Sequence, residues 1–324
     1  MIDKVFVMRL VYCGSGKFGL PCLKGIYASD NVLVHVFTQP MRTAGRGKKP
    51  KPTPVARWAA ENSVLYTETA DINAPEMVEK ICSAEPDLLV VAAFGQKISK
   101  EVIELPGKGA INVHGSLLPK YRGAAPVNWA IINGENETGV SIITLASEMD
   151  AGRILSQIGT IIHPNDTAET LENRLGEIAA PLLTETIAKI AAGTAKYTVQ
   201  DESAVSRAPK LKKSDGYIDF NESAVRLTNL IRGLWPWPGA QADYVSRKSE
   251  KCCRVTIAQA VAVPRGGGQV YPSGVVDQSL NVTCGQGGLR ILKIKPAGGG
   301  LMEFRDFVNG RGTSPGDLFM KIDR

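Results

Sequence analysis

The sequence predicts an open, Rossmann-like α/β sheet domain followed by a small antiparallel barrel of the OB type. Three observations carry this. Short apolar runs alternate with helical stretches through the first 190 or so residues, the texture of strands joined by crossover helices. The last third instead holds short strands separated by turns at roughly 8–12-residue spacing. Periodicity dissolves between the two, near 193–208, and a chain of 324 residues exceeds what one core usually serves. The boundaries expected are 1–194 for the first domain, 195–208 for a linker and 209–324 for the barrel.

The elements follow in order. Residues 5–12 read as a buried strand, 20–28 as a helix and 32–38 as a second strand, since VLVHVFT is almost wholly apolar or β-branched. A Pro/Gly/Lys-rich loop covers 39–53. Helices are expected near 54–62 and 74–83, then an apolar strand at 88–93, a short helix and a strand at 110–114. Residues 126–132 read as a helix, and 139–145 and 154–162 as strands. A long helix is expected over about 167–192, where Leu171, Leu175, Ile178 and Leu182 recur at helical spacing and Asp166 with Glu169 suggests a capping box. Beyond the linker, 222–233 reads as a helix, and 241–246, 253–263, 274–284 and 289–295 as strands, with loops at Gly266–Gly268 and Gly298–Gly300.

Composition narrows the function. Hydrophobic residues make up 44%, enough for a sizeable core. No apolar run approaches the ~20 residues of a membrane helix, and the first residues read as a strand rather than a signal or transit segment. A cytoplasmic protein is expected. The cysteines (13, 22, 82, 252, 253 and 284) form no C-x-x-C pair, and with three histidines no zinc spacing exists, so reduced structural thiols and no metal site are expected. Residues 1–208 carry 21 Lys+Arg against 22 Asp+Glu, whereas 209–324 carry 17 against 10. A neutral part joined to a basic part suggests chemistry in one and contact with a polyanion in the other.

The chemistry concentrates at the end of the 110–114 strand. Asn112 and His114 lie two apart and share a strand face. The tight Ser116-Leu117-Leu118-Pro119 loop puts them at the carboxyl edge of the sheet, where open α/β sheets bind ligands. Asp150 lies in the turn Glu148-Met149-Asp150-Ala151-Gly152 after the 139–145 strand. If that strand neighbours 110–114, the carboxylate reaches the imidazole and orients it. An isolated His/Asp pair at this separation would more often be a buried network satisfying its own hydrogen bonds. The run INVHGSLLPKYRGAAP is what speaks for chemistry.

Two other features bear on function. Arg42, Arg46, Lys48, Lys49 and Lys51 crowd into ten residues, and no acid occurs between Asp30 and Glu61. Such a cluster neutralises phosphates, and arginine adds bidentate contacts to base edges. Gly14-Ser15-Gly16-Lys17-Phe18-Gly19 is a G-x-G-x-x-G after a strand and before a helix, the context of a dinucleotide fingerprint. The acid expected at the end of the second strand is replaced by Thr38-Gln39, although Arg42 leaves a 2′-phosphate, and hence NADP, open.

Residues 109–152 closely resemble the folate-dependent formyltransferases. In that family Asn, His and Asp occupy the places of Asn112, His114 and Asp150, and Ser-Leu-Leu-Pro walls the folate pocket. The resemblance extends along the chain. VFTQP with Ala44-Gly45-Arg46-Gly47-Lys48-Lys49 is similar to the acceptor-stem loop of the members that act on charged tRNA. LKKSDGYIDF (211–220) and Pro236-Trp237-Pro238-Gly239 resemble the opening of their C-terminal domain. Met41 and Thr43 stand where Asp and Pro are frequent, and Gly-Ser-Gly where Gly-Thr-Pro is commoner.

The resemblance implies formyl transfer from 10-formyltetrahydrofolate to the amine of initiator methionyl-tRNA. Asn112 and a protonated His114 would donate to the formyl oxygen, and Asp150 would orient the ring and accept the amine proton through water. Ser116, Leu117, Leu118 and Pro119 would contact the folate. Arg46 would enter the acceptor stem, with Arg42, Lys48, Lys49, Lys210, Lys212 and Lys213 on phosphates. The wider set of Arg232, Arg247, Lys248, Lys251 and Arg254 could extend that surface, while Trp235 and Trp237 read as packing residues. A monomer without an obligate protein partner is expected. Three alternatives stand beside this reading: a formyltransferase acting on an amino sugar nucleotide, which Asn128-Trp129 would also suit; an NADP oxidoreductase; and a non-catalytic RNA-binding module.

Overall fold

The computed structural model describes residues 7–44, 49–265 and 271–322. It divides into two compact units, one formed by Met1–Pro126, Glu137–Ile161 and Glu172–Pro209, the other by Val127–Asn136, Ile162–Leu171 and Lys210–Arg324.

The first unit alternates strands and helices: β1 (Arg9–Gly14), α1 (Leu20–Tyr27), β2 (Val32–Thr38), β3 (Arg42–Ala44), β4 (Lys49–Lys51), α2 (Pro54–Glu61), β5 (Tyr66–Glu68), α3 (Pro75–Ser83), β6 (Leu88–Ala92), α4 (Lys100–Glu104) and β7 (Ala110–His114). After α5 (Pro126–Ile132), which belongs almost wholly to the second unit, come β8 (Glu137–Thr144), β9 (Ile154–Ile161) and the long α6 (Ala168–Ala191), whose first turn is also counted with the second unit. Seven strands make one sheet in the order β5-β2-β1-β6-β7-β8-β9. The first five run parallel, β8 pairs antiparallel with β7, and β9 pairs antiparallel with β8. The strand order reverses at β1, so the carboxyl ends of β1, β6 and β7 line the region where such sheets hold ligands. β1 and β6 are buried almost throughout because helices cover both faces. Val11, Phe37, Ile81, Leu89 and Val102 meet in one core.

The expected elements are present, with local differences. Within 39–53, β3 pairs antiparallel with β4, Arg42 opposite Lys51. The three-residue β5 has no apolar alternation and left no signal in the sequence. Residues 1–6 and 266–270, which include the start of the first expected strand and the first expected glycine loop, lie outside the described residues. In α6 the buried stripe runs Leu171, Leu175, Ala179, Leu183 and Ile187, a four-residue stride that leaves Ile178 and Leu182 half-buried. Its cap is also displaced by one residue. Thr167 Oγ1 accepts from Thr170 N at 3.2 Å and Thr167 N donates to Thr170 Oγ1 at 2.9 Å, while Asp166 accepts from His163 N. A hydroxyl both gives and takes a proton, which lets a Thr pair do what Asp166 and Glu169 were expected to do.

The second unit carries α7 (Ala224–Leu234), β10 (Ala240–Val245), β11 (Cys252–Val263), β12 (Val282–Thr283), β13 (Gly288–Pro296), β14 (Met302–Glu303), α8 (Phe304–Arg311) and β15 (Leu318–Met320). Its antiparallel sheet runs β12-β13-β11-β10-β15, with β14 beside β13. The expected strand 274–284 is broken by a turn in which Asp277 N donates to Asn281 O at 2.8 Å. Val276 then bridges Val282, and Val275 bridges Leu318. These two bridges join the sheet's outer strands, and the sheet becomes a nearly closed barrel.

Tyr244 sits in the barrel core against Phe307 and Phe319, with ring centroids 5.1 and 5.2 Å away. Its phenol donates to Asp317 Oδ2 at 2.6 Å. Burial and the Asp317 carboxylate push the phenol up to about 12. An unfolded tyrosine ionises near ~10, so stability from the protonated phenol is complete below that pH and is lost as pH rises toward the folded value. Urea midpoints should therefore fall above pH ~10, and more shallowly in Tyr244→Phe. Equal slopes in the two proteins would show that Tyr244 does not carry the effect.

Candidate active site

β7 pairs antiparallel with β8, with Asn112 opposite Ile143 and His114 opposite Ser141. The neighbouring strand needed to bring residue 150 close is thus in place. After β8 the chain turns back into β9, and Asp150 in that turn has φ of +56°. Its carboxylate faces both β7 residues. Asn112 Nδ2 donates to Asp150 Oδ1 at 3.3 Å, and His114 Nδ1 stands 3.6 Å from the same oxygen. Asp150 Oδ2 accepts from Gly123 N at 2.9 Å. His114 Nε2 lies 3.0 Å from the carbonyl oxygen of Tyr121; a carbonyl only accepts, so this nitrogen carries a hydrogen. The His114 and Asp150 side chains are 6% and 10% exposed, so the contact is shielded from water. Asn112 keeps a second N–H with no partner among the described residues.

The loop after β7 is held from below by one hydroxyl. Ser141 Oγ donates to Ser116 O at 2.7 Å, and accepts from Leu118 N at 3.0 Å and from Gln157 Nε2 at 2.8 Å. Ser116 is fully buried, and its own hydroxyl donates to Lys120 O. Leu118 is buried too, whereas Leu117 and Pro119 are half-buried. Of the four expected pocket residues, two present partly open apolar surface and two hold the loop.

A second group of residues, unforeseen from the sequence, surrounds Asp150. Gln200 Nε2 donates to Asp150 O and to Gly152 O, both at 2.7 Å. Gln200 Oε1 accepts from Arg122 Nε at 3.0 Å, and the guanidinium also grips Glu202 at 2.6 and 3.1 Å. That fork holds the Glu202 carboxyl below the usual carboxylate range. Further along, Tyr121 N donates to Ser206 Oγ, and Arg122 pairs with Arg207 through backbone bonds. Residues 200–208 therefore lie against 121–125, although they read from the sequence as a linker. The available signal was Arg122 itself, a second cation two residues after Lys120 in an otherwise mostly apolar run.

Arg46 and Lys48 lie outside the described residues, and Arg42 and Lys49 are placed by backbone alone, in the paired strands β3 and β4. In the second unit Lys210, Lys212 and Lys213 are exposed, as are Arg247, Lys248 and Lys251. Arg254 is tied to Asp243 at 3.0 Å, and half-buried Arg232 bonds the His163 and Asp166 carbonyls. Trp237 is 55% exposed rather than packed.

The Gly-rich turn has two of its amides already engaged. The Ser15 and Gly16 amides both donate to Ala93 O at 3.2 Å, so the N–H groups a pyrophosphate would need are occupied. Asn128, which would suit a sugar substrate, donates to Gly233 O at 2.8 Å. Among the described residues no group of three His, Cys, Asp or Glu could hold a metal ion.

Residues 9–187 match the family described as Formyl transferase, and residues 210–312 match Formyl transferase, C-terminal domain. A protein of Citrifermentans bemidjiense named methionyl-tRNA formyltransferase is 37% identical, the match covering 98% of this chain and 98% of its own. One of Trichlorobacter lovleyi with the same name is 38% identical over 96% of this chain and 97% of its own. The N-formyltransferase from Helicobacter canadensis, in complex with folinic acid and dTDP-3-aminofucose, superposes with a TM-score of 0.62 at 18% identity, covering 88% of this chain and 98% of that one. At that identity the likeness concerns the fold. With both halves matched in order and full-length relatives above 35% identity, the chain belongs to the formyl transferase family.

Proposed function

We propose that this chain transfers the formyl group of 10-formyltetrahydrofolate to the amine of initiator methionyl-tRNA, working as a monomer in the cytoplasm. The observation that carries the reading is the convergence of Asn112, His114 and Asp150 on one carboxylate oxygen at the carboxyl edge of the sheet. The names of the full-length relatives support the acceptor, and among the described residues no helix is long and apolar enough to cross a membrane.

When bound, the folate supplies a formyl carbon open to attack by an amine. The free N–H of Asn112 donates to the oxygen of that group as negative charge gathers there. His114, when both ring nitrogens carry hydrogens, places a positive charge beside it; donors of this kind are commonly worth ~3–4 kcal/mol. Asp150 holds both side chains and accepts the proton that the attacking amine must lose, directly or through one water, and returns it to the folate nitrogen as the bond from that nitrogen to the formyl carbon breaks. Leu117 and Pro119 offer an apolar surface suited to a flat ring, while Ser116 and Leu118 keep the loop in place. Arg42, Arg46, Lys48 and Lys49 of the basic 39–53 segment and Lys210, Lys212 and Lys213 of the basic C-terminal part contact the acceptor arm. In this division residues 1–194 carry the chemistry, and the barrel of 209–324 carries much of the RNA contact.

The test is formyl transfer from 10-formyltetrahydrofolate to charged initiator tRNA. Turnover of an amino sugar nucleotide without turnover of tRNA would reverse the assignment. In the same assay Arg46→Ala should lower kcat/KM for tRNA by about tenfold, the loss of one bidentate contact, and change the KM for folate by less than about twofold. Equal losses for both substrates would place Arg46 elsewhere.

A further inference from the structure

Asp150 occupies a backbone conformation that L residues rarely adopt, with its carboxylate turned toward Asn112, His114 and Gly123 N. The hold comes from Gln200. One amide group donates to the carbonyls of Asp150 and Gly152, so it ties down both ends of the Asp150–Gly152 turn. Its oxygen accepts from Arg122 Nε, which fixes which end of the amide faces the turn. Gln200 is 5% exposed and Arg122 1%, so water offers neither group an equivalent partner. Arg122 reaches Asp150 by a second route as well, since the next amide in the chain, Gly123 N, donates to the Asp150 carboxylate. The Gln200 amide that holds the Asp150 backbone and the Gly123 amide that holds its carboxylate thus meet at a single buried arginine.

We propose that Gln200, oriented by Arg122, is a positioning residue for Asp150 in formyl transfer. This rests on the functional reading above. A carboxylate at position 200 has the same shape as the amide but has no hydrogens for the two carbonyls, and the vacated turn lets Asp150 rotate away from His114 and Asn112.

The test compares the full-length wild type with Gln200→Ala, Gln200→Glu, Asp150→Ala and the Asp150→Ala/Gln200→Ala pair. The readouts are kcat and KM for 10-formyltetrahydrofolate and charged initiator tRNA, with thermal melts alongside. Gln200→Ala and Gln200→Glu should each lower kcat by about 10- to 100-fold, as expected when a reacting group is misplaced, with KM values within about threefold. In the Asp150→Ala background the Gln200→Ala change should cost less than about twofold more, because its effect runs through the missing carboxylate. Losses that multiply in the double variant, a change confined to KM, or failure of both single variants to fold would overturn the assignment in favour of a structural role. A wild type unable to formylate charged tRNA would instead remove the functional reading on which it stands.

Discussion

Asn112→Ala, His114→Ala and Asp150→Ala should each lower kcat for formyl transfer by at least about 10²-fold, the effect of losing one preorganised group at a developing oxyanion. Three different losses lead to that figure. Asn112→Ala removes the one N–H of the three side chains that has no partner among the described residues. His114→Ala removes the ring that sits between Tyr121 O and Asp150, beside the reacting oxygen. Asp150→Ala leaves Asn112 Nδ2, His114 Nδ1 and Gly123 N without their shared acceptor and takes away the base. Because the three act as one unit, the triple variant should be little worse than the worst single one. Asp150→Asn is the sharpest of the set. Asparagine tolerates positive φ, so the turn survives, but a neutral amide neither takes up the amine proton nor balances a charged ring. Its melting temperature should stay close to wild type while kcat falls. Single-turnover rates with both substrates saturating would settle the matter, and a His114→Ala protein within threefold of wild type would refute the mechanism.

What could be read in advance follows from how far each signal extends along the chain. Strand β7 was legible because its apolar residues end abruptly in a tight loop, and the sharing of a face by Asn112 and His114 follows from a two-residue period alone. Asp150 was legible only in combination, since its approach to His114 depends on β8 lying beside β7. Gln200 was illegible for the opposite reason. A side chain that bonds two carbonyls leaves no periodicity, and residues 198–208 gain their order from irregular backbone bonds such as Thr198 N to Ile154 O at 2.8 Å. In the barrel, α8 escaped because only Phe304 and Phe307 of its eight residues are buried, too few to make a stripe. The 274–284 strand was misjudged because its two ends share strand-like composition yet bond to different neighbours around the turn at 277–281.

Gly152→Ala should damage both stability and rate, and it is the substitution most severely opposed by the backbone around the site. A Cβ at residue 152 would lie 1.6 Å from Thr144 O and 2.7 Å from Thr144 C. No rotamer relieves this, because the obstacle is the last residue of β8. That strand end is itself fixed, with Thr144 N donating to Arg153 O at 2.9 Å and Arg153 N to Thr144 Oγ1 at 3.0 Å. The turn 148–153 must move outward as a body, breaking those bonds and the Gln200 contact to Gly152 O. A cost of at least about 3 kcal/mol is expected, the upper range for overpacking a rigid site. Asp150 lies two residues away and shares the displacement, so the surviving folded protein should also lose kcat by about tenfold or more. Gly107→Ala provides the control, since a Cβ there meets nothing within 4 Å. That variant should match or slightly exceed wild-type stability, by up to about 1 kcal/mol, through the lower entropy of its unfolded chain. Urea unfolding of the two variants beside wild type measures the difference directly. If Gly152→Ala unfolds at the wild-type midpoint with unchanged kcat, the close approach of the turn to β8 does not hold the carboxylate in place.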